Sequence, residues 1–210
     1  MSGCDLVEFN KLNNMYLDVL KELGNIGAGN AVTALSTMIG KKVDMHIPNV
    51  KILDFNEVAD IFGSPDTIII GIYFDLEGDI KGNILFALDL KSAASLVFNL
   101  MGLKVEEKFD ELEKSALQEI GNIMSGSYIS SLSVLTNLEM KISPPAISID
   151  MAGAILSVPA IKYGEISDKI LFIETEFVED EKLIKGDFFL IPDINSFDII
   201  LKALGVEIDG

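Results

Sequence analysis

The sequence has no arginine and no tryptophan among its 210 residues. Arginine supplies the planar guanidinium that grips phosphate oxygens in pairs and serves as the arginine finger of many phosphoryl-transfer enzymes. This chain carries no such group. Any phosphoryl chemistry that it performs must therefore take its cations from another molecule.

Cysteine and histidine are each present once, as Cys4 and His46. A single cysteine excludes an internal disulfide, and the two residues are too few for a Cys/His metal cluster. His46 has no second histidine, cysteine or close carboxylate with which to form a dyad, so we assign it no role. We expect no metal site and no activated nucleophile in this chain.

Positive charge is scarce, since 16 lysines face 33 acidic residues for a net charge of −17. Nucleic acids and anionic membranes require clustered cations, so neither is an expected partner, whereas a protein with a basic surface is. The N-terminal residues lack the features of a signal peptide, and the longest apolar run, 68–74, is far shorter than a membrane span. We expect a soluble cytoplasmic protein.

Residues 10–39 show a 3.6-residue apolar period that predicts one long helix. Asp18, Glu22 and Asn25 lie at i, i+4 and i+7, within roughly 60° of one another on one exposed ridge. The opposite side carries the small and apolar residues expected of a buried face. These are Leu17, Leu20, Gly24, Gly27, Ala31, Ala34, Leu35 and Met38.

The same arrangement returns in a second predicted helix over 109–138, with Ser115 in the place of Asp18. A repeat of fixed period indicates a duplicated unit. Four pairs lie 97 residues apart: Glu22 and Glu119, Asn25 and Asn122, Gly29 and Gly126, and Pro48 and Pro145. The predicted buried face of the second copy consists of Leu117, Ile120, Gly121, Met124, Tyr128, Leu132 and Leu135.

The duplicated ridge has two interpretations. One is a helical hairpin whose glycines allow close packing and whose polar ridge is merely solvated. The other is a pair of equivalent surface sites. A solvated face tolerates almost any polar residue, so the joint recurrence of Glu, Asn, Gly and Pro favours the second interpretation.

The two halves, 10–102 and 109–205, are each predicted to contain a helix, three strands and a helix, and to form two intertwined repeats of a single domain over 1–210. Runs of hairpin-linked strands favour an α+β fold with a largely antiparallel sheet and packed long helices. Residues 75–79 are predicted as a hairpin turn, and Ser92 as the cap of a helix that ends at Gly102. The predicted strand segments are 43–53, 68–74, 80–88, 141–156, 170–177 and 184–191, with a last helix over 195–204.

Two sets of residues resemble the signature of the CheC family of chemotaxis phosphatases: Asp18, Glu22, Asn25 and Pro48, and then Ser115, Glu119, Asn122 and Pro145. The resemblance runs through nearly the whole chain and implies a CheC-like, pseudo-twofold fold. It also implies an enzyme that hydrolyses the aspartyl phosphate of the response regulator CheY.

Carried over residue by residue, the resemblance makes Glu22 and Glu119 the acids that dock the partner. Asn25 and Asn122 become the amides that position the attacking water, because a carboxamide is both a hydrogen-bond donor and an acceptor. Such positioning is worth several kcal/mol when the geometry is right. The Mg²⁺ and the lysine that phosphoryl transfer requires are expected from CheY, so this chain is expected to bind no cofactor of its own.

The remaining signature residues have less defined roles. Asp18 and Ser115 complete the motif, and Pro48 and Pro145 are expected to shape the strand beside each helix. The resemblance also implies a second partner, the receptor-modifying deamidase CheD, whose binding would modulate the phosphatase.

Gly29 and Gly126 lie on the same face as the ridge, about one turn beyond the two asparagines. One hypothesis is that the missing side chains let the backbone of the partner approach closely. The alternative is that both glycines merely kink their helices.

Two other functions are suggested by parts of the sequence. A nucleotide-binding loop at 24–29 fails because no strand precedes it and no Lys-Ser/Thr follows it. A non-catalytic adaptor of the flagellar switch that binds CheD or CheY is the stronger rival. Switch proteins of that kind carry a further C-terminal domain, whereas this sequence ends at Gly210, and the intact Glu/Asn pairs favour catalysis.

Overall fold

The chain repeats one order of secondary structure twice. The computed structural model describes residues 14–205 except 41, 43, 48, 55–56, 103, 106–107, 164–168 and 180–181, so Pro48 lies outside the described residues. The first half contains α1 (Asn14–Ile39), β1 (Asp44–His46), β2 (Val50–Asp54), α2 (Val58–Ile61), β3 (Ile68–Gly78), β4 (Gly82–Asp89) and α3 (Leu90–Met101). The second contains α4 (Glu111–Thr136), β5 (Met140–Ile142), β6 (Ala146–Met151), α5 (Ala152–Tyr163), β7 (Lys169–Glu179), β8 (Lys182–Pro192) and α6 (Ile194–Ala203). The predicted pseudo-twofold duplication is confirmed.

The eight strands of this described part form one sheet in the order β1-β7-β8-β4-β3-β5, in which every pairing is antiparallel. The short strands are exchanged between the halves. β2 of the first half pairs with β7 of the second, and β6 of the second half pairs with β3 of the first. The predicted α+β class with an antiparallel sheet is therefore correct.

The sheet is covered on both faces because side chains alternate along each strand. On one face, Ile70, Ile72 and Phe74 of β3 join the larger apolar cluster, which includes residues of α1, α3 and α4. On the other face, Ile69 joins a smaller cluster with residues of α2 and α5. The two long helices therefore lie together on one face of the sheet.

The two long helices approach each other closely at Gly27. A Cβ on this residue would lie 3.1 Å from Tyr128 Cα and 3.3 Å from the carbonyl oxygen of Ser127. Only glycine lets α1 and α4 pack at this separation without displacement of the backbone. The predicted buried faces are largely correct, but Ala34 and Leu135, which were expected inside, are exposed.

Helix ends follow from local side chains. Asp110 begins α4 with a capping box, since its carboxylate accepts from Glu113 N–H at 2.8 Å while the Glu113 carboxylate accepts from Asp110 N–H at 2.9 Å. The prediction that Ser92 caps α3 is wrong, because Asp89 is the N-cap and accepts from Ser92 N–H at 2.7 Å. Gly102 ends α3 in the left-handed conformation, as predicted.

Two other predictions are corrected. Residues 75–78, predicted as a turn, continue β3, because they pair with β4 on one side and with β5 on the other. Residues 152–156, predicted as strand, begin helix α5, whose Ala152, Ile155 and Leu156 are buried against the sheet. None of the helices within the described ranges is long and apolar enough to cross a membrane.

Candidate active site

The predicted acid and amide of each copy lie on the long helices with the same exposure. Glu22 of α1 and Glu119 of α4 are exposed, whereas Asn25 and Asn122 are half-buried. In each pair the residues are three apart, which places them about 4.5 Å apart along the helix axis. Each helix thus presents a carboxylate to solvent and a carboxamide at the margin of the core. We call Glu22 and Asn25 the first pair, and Glu119 and Asn122 the second pair.

The Asn25 carboxamide is held by the segment that joins β1 to β2. Its Oδ1 accepts a hydrogen bond from the backbone N–H of Ile47 at 3.2 Å. Ile47 is buried and lies against Gly24, where a Cβ would be 2.6 Å from the Ile47 Cδ1. The glycine before Asn25 therefore lets this segment approach α1 closely enough for the hydrogen bond to form.

The Asn122 carboxamide has no hydrogen-bond partner among the residues that the structure describes. The position equivalent to Ile47 is occupied by Pro144, which has no backbone N–H to donate. Here a different side chain connects helix and strand, since Gln118 Nε2 donates to the carbonyl oxygen of Pro145 at 2.9 Å. The residue equivalent to Gln118 in the first half is Lys21.

The first residues of the two motifs differ in chemistry. Asp18 is exposed on α1. Ser115 is exposed on α4, but its hydroxyl donates to the carbonyl oxygen of Glu111 at 2.8 Å, one turn back in the same helix. A hydroxyl engaged in this way is a common feature of serine within a helix.

Gly29 and Gly126 are not required by the packing of this chain. A Cβ on Gly29 would meet no atom within 4 Å, and one on Gly126 would meet nothing closer than Ile142 Cδ1 at 3.9 Å. Both helices run through these positions as continuous α-helix. Glycine costs roughly 1 kcal/mol relative to alanine inside a helix, and no contact in the described fold accounts for that cost.

The two pairs lie towards opposite edges of the sheet. α1 packs on β1 and β2, which pair with β7, and α4 packs on β5 and β6, which pair with β3. The path from β1 to β5 crosses five inter-strand spacings, or about 24 Å for a flat sheet. Each pair therefore lies on its own long helix, beside its own set of short strands.

These surfaces have a limited set of chemical groups. Each offers a carboxylate and a carboxamide, and the described residues contain no group of three or more His, Cys, Asp or Glu side chains placed to hold a metal ion. Sequence reasoning located both pairs but missed the roles of Ile47 and Gln118. The difference between the halves could have been read from the sequence. At the 97-residue offset, Ile47 aligns with Pro144 and Lys21 aligns with Gln118.

Fold and surface together define an α+β protein with a duplicated helix-borne Glu/Asn pair. The CheC-like family profile matches residues 15–52 and 112–149, two segments that share the 97-residue offset. The CheY-P phosphatase CheC of Bacillus subtilis (strain 168) is 32% identical over 206 residues, which cover 95% of this chain and 99% of that protein. The chain belongs to the CheC-like family.

Two further relatives share the fold or part of the sequence. The flagellar motor switch phosphatase FliY of Bacillus subtilis (strain 168) is 30% identical over 149 residues, which cover 69% of this chain and 38% of that protein. The crystal structure of Thermotoga maritima FliY superposes with a TM-score of 0.74 at 24% identity, covering 93% of this chain and 98% of that one. The predicted CheC-like fold is confirmed by this likeness.

Proposed function

We propose that this chain is a phosphatase that hydrolyses the aspartyl phosphate of a CheY-type response regulator in chemotaxis. The observation that carries this proposal is the 32% identity, over nearly the full length of both chains, to a relative named for CheY-P phosphatase activity. The exposed carboxylate and half-buried carboxamide on each long helix give this activity a physical basis.

The proposed reaction is attack by water on the phosphorus atom. A new P–O bond forms as the bond between phosphorus and the aspartyl oxygen breaks. The products are a free carboxylate and inorganic phosphate, and the proton of the water leaves to phosphate or solvent. This chain contributes position rather than covalent chemistry, and the Mg²⁺ and lysine are proposed to come with the response regulator.

In this proposal the two members of each pair act differently. Glu22 and Glu119, being exposed, dock against a cation of the partner, and the net charge of −17 favours encounter with a basic surface. Asn25 and Asn122 then reach the phosphorylated aspartate and orient the water. Asp18, Ser115, Gly29 and Gly126 are proposed to border the contact.

The decisive experiment measures decay of phospho-CheY with the wild-type chain, Asn25→Ala, Asn122→Ala and the double variant. We expect each single variant to lose part of the turnover and the double variant to return to the spontaneous rate. Asn30→Ala is the matched control, because Asn30 is an exposed carboxamide on the same helix about 140° from Asn25. A double variant as active as wild type would refute the assignment.

The docking acids are tested through the Michaelis constant. Glu22→Gln combined with Glu119→Gln removes two charges but keeps side-chain size. We expect KM for phospho-CheY to rise, with a weaker dependence on ionic strength, because exposed charge pairs act mainly on encounter. Glu111→Gln on the exposed start of α4 serves as the control for a general loss of negative charge.

CheD is proposed as a modulating partner on the basis of the signature resemblance. The adaptor alternative, in which the chain binds CheY or CheD without catalysis, draws on the sequence relationship to a flagellar motor switch phosphatase. Turnover of phospho-CheY measured with and without purified CheD separates the two. An adaptor would bind CheY and leave its rate of dephosphorylation unchanged under both conditions.

A further inference from the structure

The two halves connect the long helix to the adjoining strand segment by different side chains. In the first half the connection is the hydrogen bond from Ile47 N–H to Asn25 Oδ1. In the second half it is the hydrogen bond from Gln118 to the Pro145 carbonyl, while Asn122 has no partner within the described chain. The first carboxamide therefore has a structural role that the second does not have.

The backbone donor fixes which way the Asn25 carboxamide is turned. A backbone N–H requires an acceptor, so the atom beside Ile47 must be Oδ1 and not Nδ2. Rotating Oδ1 away would leave a half-buried N–H without its partner. No backbone N–H of the described residues donates to Asn122, and Pro144, which aligns with Ile47, has none to donate, so the orientation of the Asn122 carboxamide is not fixed in this way.

The carboxamide oxygen is the useful atom for the proposed attack. A water that attacks phosphorus directs a lone pair at the phosphorus atom, so its hydrogens point elsewhere and need an acceptor. Oδ1 accepts such a hydrogen, whereas Nδ2 would donate to the lone pair and compete with the attack. In the first pair this oxygen already accepts from Ile47, which makes it a weaker acceptor for water.

We propose that the two pairs are unequal catalysts, with the second pair faster, and that the backbone at position 47 or 144 sets the difference as a positioning group. This inference rests on the proposed function. A neutral hydrogen bond of ordinary strength corresponds to a factor of roughly two to ten in rate. The effect falls on kcat, because the docking acids that govern KM are equally exposed in both pairs.

The first test compares enzymes with one working pair. Asn25→Ala leaves only the second pair, and Asn122→Ala leaves only the first. We expect the Asn25→Ala enzyme to have a kcat roughly two- to tenfold above that of Asn122→Ala, with similar KM values for phospho-CheY. A first pair as fast as the second, or faster, overturns the inference.

The second test installs the missing donor. Pro144 is exposed and aligns with Ile47 at the 97-residue offset, so Pro144→Ala restores a backbone N–H at the aligned position with little loss of packing. Made in the Asn25→Ala background, it should lower kcat several-fold without raising KM. Pro65→Ala in the same background is the control, because Pro65 is an exposed proline beside Gly153 of α5. Equal kcat values for Pro144→Ala and its parent contradict the positioning role.

A third readout does not involve turnover. Hydrogen exchange of the Ile47 amide should accelerate in Asn25→Ala and stay slow in Asn25→Asp, whose carboxylate still accepts the hydrogen bond. Asn25→Ala should also lower the urea midpoint of unfolding, whereas Asn122→Ala should leave it unchanged. Equal midpoints for the two alanine variants would count against the structural role of Asn25.

Failure of this inference is distinguishable from failure of the proposed function. If the double variant keeps full activity, the carboxamides are not catalytic and the function assignment fails. If the double variant is inactive but the two single variants retain equal kcat values, the function stands and only the inequality is wrong.

Discussion

Asp187 is expected to make the stability of this protein depend on pH near neutrality. Its carboxyl group lies on β8 and lines a cavity of about 430 Å³ on the α2 and α5 side of the sheet, together with Phe62 and Phe172. Burial, and after it the nearby carboxylates of Glu174 and Asp89, raises its pKa to about 7, while Lys185 opposes the shift. The folded chain therefore holds a proton that the unfolded chain releases near pH 4.

The sign and size of the effect follow from proton linkage. The folded pKa is raised above the unfolded value of 3.8, so the folded state binds more protons between pH 4 and 7. Stability then falls as pH rises through this window and levels off above it. Since one pH unit corresponds to about 1.4 kcal/mol, ionised Asp187 costs the folded state about 4 kcal/mol well above pH 7.

The assay is urea unfolding of wild type and Asp187→Asn at pH 6, 7 and 8. Linkage gives a change of about 1.4 kcal/mol between pH 6 and 8, and the variant should lack it. Between pH 6 and 8 the wild type should therefore lose about 1.4 kcal/mol of unfolding free energy relative to Asp187→Asn. Asp66→Asn, in an exposed turn, is the control. A difference that is the same at all three pH values would refute the reasoning.

Four further substitutions test the helices. Gly29→Ala and Gly126→Ala should each raise the unfolding free energy by about 1 kcal/mol in urea titration, because neither new Cβ meets a close contact. If the partner approaches there, the same variants lose phospho-CheY turnover, and undiminished turnover would remove the proposed role. Gly27→Leu should destabilise by about 2 kcal/mol in the same titration, since the side chain would enter the backbone of α4 at Tyr128. Asp110→Ala removes the cap of α4 and should lower Tm by about 3 °C in calorimetry, and an unchanged Tm would show that the cap is dispensable.

Much of the fold was predictable because its signals are local. The two long helices follow from their apolar period, and their ends from residues such as Asp110 and Gly102. The β3–β4 hairpin follows from two successive apolar runs, although its turn lies at 79–81 and not at the predicted 75–79. Duplication follows from the fixed offset alone, since it needs no knowledge of packing.

Helix α5 was missed because its sequence is apolar on nearly every side. A segment such as Ala152–Tyr163 has no polar face, so periodicity does not separate a buried helix from a buried strand. Pro159 within it further disfavours a helix in local terms. Packing in the folded protein favours the helix, because it buries Ala152, Ile155 and Leu156 together in the smaller apolar cluster.

Strand exchange and the Ile47 hydrogen bond were missed for a related reason. β2 pairs with β7, more than a hundred residues away, and no local pattern encodes that register. The Asn25–Ile47 bond joins residues 22 apart across a turn of the chain. The sequence contains both partners, but only the packing of α1 on β1 brings them together.

The differences between the halves explain why recurrence on the outer ridge is informative. The two long helices pack on each other about an approximate twofold axis. A residue of α1 therefore contacts a residue of α4 that is not its own counterpart at the 97-residue offset. Gly27 lies against Tyr128, whose own counterpart at the 97-residue offset is Ala31, and the counterpart of Gly27 is Met124. At this contact a small residue of α1 faces a large residue of α4, and the buried counterparts in the two copies differ in size. No packing contact in the described fold requires Glu or Gly at these positions, so their identity in both copies fits the proposal of a partner that meets each helix in the same way.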